Sequence, residues 1–186
     1  MDLPPRDVPE GLSSKEYLQL GIKYKSMGWI EQARDALTFA VEDDSDRDVS
    51  LAARRFLRTK IPRHPVPLFA EQKNIEGFNA MATGDVEQAR ETFEELIREF
   101  PDFEWPYGNL AVLCLHVHDI ARAKELLDKA LEINPHYVNG WLHLATARGL
   151  EMDLPGAREC VDRALESDPT DTAAKAMKVA LESLDA

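Results

Sequence analysis

Histidine and cysteine are the side chains of this sequence that could hold a metal ion or act as nucleophiles. The chain has five histidines and two cysteines. His116 and His118 would point roughly 200° apart on a helix, so they cannot share an ion without help from another element. Cys114 and Cys160 form no CxxC pair, and both are interpreted as small buried hydrophobic residues and not as nucleophiles. The sequence therefore predicts no metal site and no cysteine nucleophile.

Short catalytic motifs are also missing from the sequence. It contains no GxSxG elbow, no HExxH, no GxxxxGK loop and no GxGxxG fingerprint. Carboxylates are plentiful, but in "EELIRE" and "KELLDKALE" they alternate with Lys and Arg, which is typical of a solvated helix face with ion pairs. We therefore expect no catalysis and no cofactor. An enzyme subunit with a carboxylate site stays an alternative that would need an inward cluster of unpaired acids.

The charge balance limits the classes of partner. The chain has 34 acidic and 22 basic residues and a formal charge of -12, whereas nucleic-acid binding needs a basic surface. The first residues, "MDLPPRDVPEG", lack the basic and apolar regions of a signal peptide, and no apolar run approaches the ~20 residues that span a bilayer. We expect no nucleic-acid binding, no membrane insertion and a cytoplasmic location.

Small, apolar and turn-forming residues recur at a fixed spacing in this sequence. The elements that repeat in this way would carry any binding surface. Four kinds of residue keep a spacing of 34 in three successive segments. They are Pro101, Pro135 and Pro169; Ala89, Ala123 and Ala157; Phe93, Leu127 and Val161; and Asp85, Asp119 and Asp153. Each segment is predicted to be helix, turn, helix, because an Asp side chain in the turn can cap the following helix. The period predicts stacked helix pairs.

This period and its residues resemble the tetratricopeptide repeat. The matching residues are Trp141, Leu144, Ala145, Ala157, Val161, Ala164 and Pro169 in the last segment, and Tyr107, Leu110, Ala111, Ala123, Leu127, Ala130 and Pro135 in the segment before it. The segment from residue 70 keeps Gly77, Ala89, Phe93 and Pro101, but has Lys73 and Glu76 where the motif places apolar residues. The resemblance implies an all-α fold, an α-solenoid of tetratricopeptide-like helix-turn-helix repeats (an α-α superhelix) with a C-terminal capping helix.

An N-terminal segment matches the same motif out of phase. Its "LG" pair is Leu20 and Gly21, and Ala33 precedes Ala89 by one period plus 22 residues. The extra stretch contains a helical pattern followed by "IPRHPVP", whose prolines cannot lie inside a helix. The predicted organisation is a disordered segment 1–13, repeats 14–47, 70–103, 104–137 and 138–171, an unpaired helix with its proline-rich connector at 48–69, and a cap at 172–186. The phase break predicts separable units 1–69 and 70–186.

In the tetratricopeptide family the first helices of the repeats line a concave surface that binds peptides or helices. Matching motif positions implies a groove of Asn74, Phe78, Met81, Trp105, Asn109, Val112, Leu115, His116, Asn139, Leu142, His143, Thr146 and Leu150. The core positions are filled by other residues, Tyr107, Leu110, Trp141 and Leu144. We therefore expect Trp105, Asn109, Leu142 and His143 to face outward. Such a mixed wall suits a mostly apolar peptide whose backbone bonds to amide and imidazole groups.

Chaperone-binding members of the family hold a C-terminal carboxylate with Lys and Arg at set positions of the first helices. Those positions hold Asn74, Phe78, Asn139 and His143 here, and only Asn109 matches. The sequence therefore predicts that this carboxylate clamp is absent. It favours a protein-interaction scaffold or adaptor that aids complex assembly, with a self-assembling homo-oligomer as the alternative.

A basic stretch stands out in this acidic chain. The segment "RRFLRTKIPR", residues 54–63, contains five Arg or Lys residues and no acid. Cations favour the C-terminal end of a helix through its dipole, which is one interpretation. The other is a docking site for an acidic segment, either of a partner or of the nearby run "EDDSD". The sequence leaves both open.

Overall fold

The computed structural model describes residues 4–5, 7–43 and 45–184, and over these residues it contains ten α-helices and no strand. The helices are α1 (Ser14–Ser26), α2 (Ile30–Glu42), α3 (Arg47–Lys60), α4 (Leu68–Thr83), α5 (Val86–Glu99), α6 (Glu104–His116), α7 (Ile120–Ile133), α8 (Val138–Leu150), α9 (Leu154–Ser167) and α10 (Thr172–Ser183). The predicted all-α solenoid is confirmed. Residues 1–3 and 6 of the predicted disordered segment, and 185–186 of the predicted cap, lie outside the described residues.

The chain divides into two compact units, residues 1–72 and 73–186. The division falls inside α4, a few residues beyond the boundary at 69 that the phase break suggests. The first unit holds α1, α2, α3 and the start of α4, and the second holds the rest of α4 and the helices that follow. Independent folding of the two segments stays a prediction.

In the first unit α1 and α2 form a helix pair at a glycine contact. A Cβ atom at Gly21 would lie 2.6 Å from Leu37 Cγ, so a larger residue would force the helices apart. Helix α3, expected to be unpaired, packs against α2 and also contacts α1. The connector after α3 is partly internal, because Ile61 and Val66 are buried. The inserted segment is therefore part of the first unit's packing.

In the second unit the periodic columns form the core. Ala89, Ala123 and Ala157 are buried, as are the bulky residues Phe93 and Leu127. The turn acids cap the second helix of each pair: Asp85, Asp119 and Asp153 accept hydrogen bonds from the backbone N–H groups three residues later, at 3.2, 3.2 and 3.0 Å. The same buried alanine and the same Asp cap therefore occur in each of the three repeats of the second unit.

The turn inside each helix pair contains a residue in the left-handed backbone region. These residues are Gly28 (φ 76°), Gly84 (φ 89°), His118 (φ 59°) and Met152 (φ 62°). Glycine adopts this conformation without strain, whereas an L residue with a Cβ atom pays roughly 1–2 kcal/mol. The last two repeats therefore have the same turn conformation, although His118 and Met152 adopt it less readily than glycine does.

The last helix, α10, covers the end of the second unit as predicted, but not with a wholly polar outer face. Ala174 is buried, and Met177 and Leu181 pack against the core. Val179 on the helix is exposed, and so is Leu184 just after it. This helix therefore leaves apolar side chains in solvent.

Replacing Ala123 with Glu should severely destabilise the second unit. Ala123 is fully buried between paired helices, so the carboxylate must lose its hydration or separate them, at a cost of about 3 kcal/mol or more. Ala121→Glu, on an exposed position of the same helix, is the matched control. Urea unfolding followed by circular dichroism measures both variants. Equal stabilities would show that Ala123 is not a helix-pair contact.

Candidate protein-binding site

All of the predicted groove residues lie on α4, α6 and α8, within the second unit. These are the first helices of three successive repeats. Helix α6 contacts α8, and the side chains of α4 and α6 are joined by a hydrogen bond from Asn109 Nδ2 to Asn74 Oδ1, at 3.0 Å. The structure therefore brings two of the predicted amides into direct contact, on adjacent first helices.

The predicted residues differ in how much surface they offer. Exposed side chains are Phe78, His116, Asn139, Thr146 and Leu150; half-buried ones are Met81, Trp105, Asn109, Val112 and His143; Asn74, Leu115 and Leu142 are buried. Phe78 and Leu150 are 50% and 45% exposed, so they are the most exposed of the large apolar side chains in this set. Leu142 is only 7% exposed, so it belongs to the core and does not face outward as expected.

Trp105 stands at the start of α6, where one side of its ring is supported by the protein. Its ring centroid lies 5.7 Å from that of Phe103, and the side chain packs against the core cluster while staying half-buried. A ring held in this way offers apolar surface at little cost in conformational entropy. Trp105 is therefore suited to anchor a ligand.

The polar groups at the positions compared with the carboxylate clamp are neutral. Burial lowers the pKa of the His143 imidazole to about 4, so the ring is uncharged at pH 7. At the other positions compared with the carboxylate clamp, Asn74, Asn109 and Asn139 carry amides and Phe78 is apolar. Neutral amide and imidazole groups can bond to a peptide backbone but give little attraction to a carboxylate.

A second cleft lies outside the predicted groove, between α7, α8 and α9. Its volume is about 690 Å³, and apolar side chains including Leu131, Trp141 and Leu144 line it. Trp141, which the motif assigns to the core, is half-buried, and its Nε1–H donates to the Pro135 carbonyl at 2.9 Å. Ion pairs such as Arg148–Glu159, at 3.7 Å, lie along its edge. The positions of the repeat motif do not predict this cleft.

Comparison with known proteins identifies the repeat. The family model described as "Tetratricopeptide repeat" matches residues 80–129 and 115–181, which together span more than half of the chain. The chain belongs to the tetratricopeptide repeat family. No curated protein matches it by sequence.

Solved tetratricopeptide structures share its fold at low identity. The first tetratricopeptide domain of Spaghetti (RPAP3), bound to the HSP90 peptide SRMEEVD, is 19% identical, with a TM-score of 0.57 over 63% of this chain and 94% of that one. The yeast Sti1 TPR2B domain in complex with an Hsp70 peptide is 22% identical, with a TM-score of 0.57 over 63% and 99%. The Sgt2 domain from Aspergillus fumigatus is 22% identical, with a TM-score of 0.59 over 66% and 82%. These likenesses establish the fold.

The described residues of this tetratricopeptide repeat protein offer no metal-binding group of three or more His, Cys, Asp or Glu side chains. Both cysteines are buried, and burial raises the pKa of each thiol. Neither is therefore an activated thiolate. No helix in the described ranges has both the length and the apolar character needed to cross a membrane.

Two buried carboxyl groups were not predicted from the sequence. Glu104 is fully buried at the start of α6, where its Oε1 accepts a hydrogen bond from Asn134 Nδ2 at 2.7 Å. Glu71 is 1% exposed in the first unit; its Oε2 accepts from the Ile30 backbone N–H at 3.4 Å, while its Oε1 has no partner. Burial raises the pKa of Glu71 to about 8, with nearby Glu31 adding to the rise. These contacts join residues 30 or more positions apart and follow no helical period.

The buried Glu71 should make folding of the first unit sensitive to pH. Its pKa is raised from 4.5 to about 8 by burial, and the hydrogen bond from the Ile30 N–H and the charge of Arg34 only partly offset this rise. The folded state therefore holds a proton that the unfolded chain releases, so its stabilising contribution is complete below about pH 4.5 and is lost as the pH rises toward 8. The slope is at most about 1.4 kcal/mol per pH unit.

Urea unfolding between about pH 5 and 8.5 measures this effect. Glu71→Gln, which cannot titrate, should flatten the decline, whereas Glu76→Gln, an exposed change on the same helix, should leave it in place. Parallel curves for wild type and Glu71→Gln would show that the buried carboxyl does not control this pH dependence.

Proposed function

We propose that this protein is a non-catalytic adaptor that binds a peptide or helix of a partner protein on the α4, α6 and α8 surface of its second unit and so aids complex assembly. The observation that carries the proposal is the exposure of Phe78 and Leu150 on first helices of different repeats, with half-buried Trp105 on the helix between them. Large apolar side chains left in solvent are typical of interaction surfaces.

The character of the surface favours an apolar segment with an accessible backbone. Tryptophan, as at position 105, is among the residues that most often dominate binding energy at interfaces, and phenylalanine, as at position 78, is enriched there. Asn109 and His143 are half-buried and neutral, so they can bond to peptide groups without the desolvation cost of a charge. The expected ligand is an amphipathic helix or an extended, mostly apolar peptide.

Two of the solved relatives suggest peptide binding as a class of function, but not the same peptide. The Spaghetti domain is bound to an HSP90 peptide and the Sti1 domain is complexed with an Hsp70 peptide. At the clamp positions this chain has Asn74, Phe78, Asn139 and His143 in place of Lys and Arg. We therefore propose that its ligand is not held by a terminal carboxylate.

The combined change Phe78→Ala and Trp105→Ala should weaken partner binding by about 2 kcal/mol or more, which is roughly 30-fold in affinity. Phe39→Ala, which truncates another exposed aromatic residue in the first unit, should have little effect. Affinity purification with mass spectrometry identifies the partner, and calorimetry of the purified pair then measures all three proteins. A groove variant with the affinity of the control and an unchanged melting temperature would refute the site.

The peptide SRMEEVD should bind no better with its free C-terminal carboxylate than in its amidated form. The neutral clamp positions provide no cation for that carboxylate, so removing its charge removes no attraction. Titration of both forms at low ionic strength, where charge effects are largest, measures the difference. A marked preference for the free carboxylate would contradict the proposed ligand class.

Self-association is the second candidate, because Val179 on α10 and Leu184 just after it are 65% and 63% exposed. Exposed apolar side chains of this kind can pack against another copy of the chain. Light scattering over a range of protein concentrations separates the two candidates. A mass that stays at one chain favours the adaptor, and a mass that rises with concentration favours the homo-oligomer.

A further inference from the structure

The three helix pairs of the second unit cap their second helix with an Asp from the turn, but the pair of α1 and α2 does not. Trp29 stands at the corresponding position, with φ −96° and ψ 73°, a backbone conformation close to that of the three capping Asp residues. Its side chain makes no capping hydrogen bond and lies instead against Tyr24, with ring centroids 5.5 Å apart. The turn of this pair therefore provides no side-chain cap for α2.

The carboxyl group of Glu71 supplies a hydrogen-bond acceptor for α2 from a distant position. Its Oε2 accepts from the Ile30 backbone N–H at 3.4 Å, across 41 positions of the chain. The first N–H groups of a helix have no partner within the helix, so a carboxyl group there is favoured by hydrogen bonding and by the helix dipole. Glu71 is therefore a long-range cap for α2.

A second contact fastens the same stretch of chain to α2. Arg34, about one turn into the helix, donates from its Nη2 to the Pro62 carbonyl at 2.8 Å. Between this contact and the Glu71 cap, Val66 and Ala70 are buried. We call residues 61–71 the strap, and the strap lies wholly within the first unit.

One oxygen of the Glu71 cap has no partner. The residue is 1% exposed, and its Oε1 accepts no hydrogen bond from any described residue. The charged side chains that act on it are Glu31 and Arg34, both on α2; Glu31 favours the protonated form and Arg34 the ionised form. Burial outweighs both the Ile30 hydrogen bond and the Arg34 charge, and it raises the pKa to about 8. A buried oxygen without a partner is costliest when it is charged, so the cap is most stable with its proton.

Capping alone does not require a buried carboxyl group. The capping Asp residues of the other three pairs are exposed, so their negative charge stays hydrated. Glu71 places the same chemical group where hydration is lost, which costs stability whenever the group is charged. A glutamine at this position would also accept from the Ile30 N–H and would stay neutral. The carboxyl group therefore adds a response to pH that the capping role does not need.

We propose that Glu71 is a pH-sensitive latch, which holds the strap on α2 while it carries a proton and releases the strap when it loses that proton. In the latched state the carboxyl group is buried and binds its proton tightly, whereas in the released state it is hydrated and ionises near its ordinary pKa. The latch is therefore strongest at acidic pH and weakens as the pH rises toward 8. It belongs to the first unit and does not depend on the α4, α6 and α8 surface.

Hydrogen exchange of the full chain, followed residue by residue by NMR, tests the latch. The Ile30 amide reports release of the strap, because its N–H donates to Glu71, and the Leu37 amide reports unfolding of α2. Both are expressed as protection factors, which remove the effect of pH on the intrinsic exchange rate. The protection of Ile30 should fall by roughly tenfold or more between about pH 6 and 8, because opening releases a proton, and should fall less steeply above about pH 8.

Urea separates release of the strap from unfolding of the whole first unit. The protection of Ile30 should depend little on low urea concentrations, because release exposes little surface, whereas the protection of Leu37 should fall steeply. Glu71→Gln cannot titrate and should remove the pH dependence at Ile30, and Glu76→Gln, an exposed change on the same helix, should keep it. Glu71→Met also cannot titrate, and it replaces Glu71→Gln if that variant does not fold.

Three results would overturn the proposal. The first is an Ile30 protection factor that is the same at pH 6 and pH 8, and the second is an equal pH dependence in wild type and in the Glu71 variant. The third is equal protection and equal urea dependence at Ile30 and Leu37, because the strap would then be released only when α2 itself unfolds. This third result would leave the pH-dependent stability of the first unit in place and refute the latch.

Discussion

Close approach of two helices at small residues is the contact on which this structure depends. Ala123 and Ala157 have no exposed surface, and Gly21 leaves no room for a Cβ atom beside Leu37. Because this contact recurs with a 34-residue period, the core of the second unit consists of the same helix-pair contact repeated along the chain. The capping acids and reversing turns follow from it, since each second helix must start at a fixed distance from the first. Surface residues of the first helices are then free to vary with the ligand.

The sequence was sufficient to predict features that repeat, and insufficient for features that occur once. The period predicted the helices, the buried alanines and the capping acids, because each is set by contacts within a helix pair. It did not predict that Leu142 is buried or that Trp141 borders a cleft, since these depend on how neighbouring pairs pack. The buried carboxyl of Glu71 and the position of Arg34 arise from contacts between distant segments. No helical spacing encodes such contacts, although an Arg between Ala33 and Leu37 departs from an otherwise apolar face.

The proposed binding surface on α4, α6 and α8 combines apolar side chains with amide groups and the neutral imidazole of His143. Its interactions with a ligand should therefore depend mainly on buried apolar area and change little with salt.

The turn between the two helices of each pair has the same backbone conformation in all four pairs. Gly28, Gly84, His118 and Met152 adopt the same left-handed conformation although their side chains share no chemistry. The direction of the chain after each turn is therefore set by the backbone, and the next helix starts in the same orientation whichever residue is present. A segment of one full period can be duplicated or removed without changing the hand of its neighbours. The number of repeats, and with it the length of ligand that the array can hold, can therefore change while this turn geometry is kept.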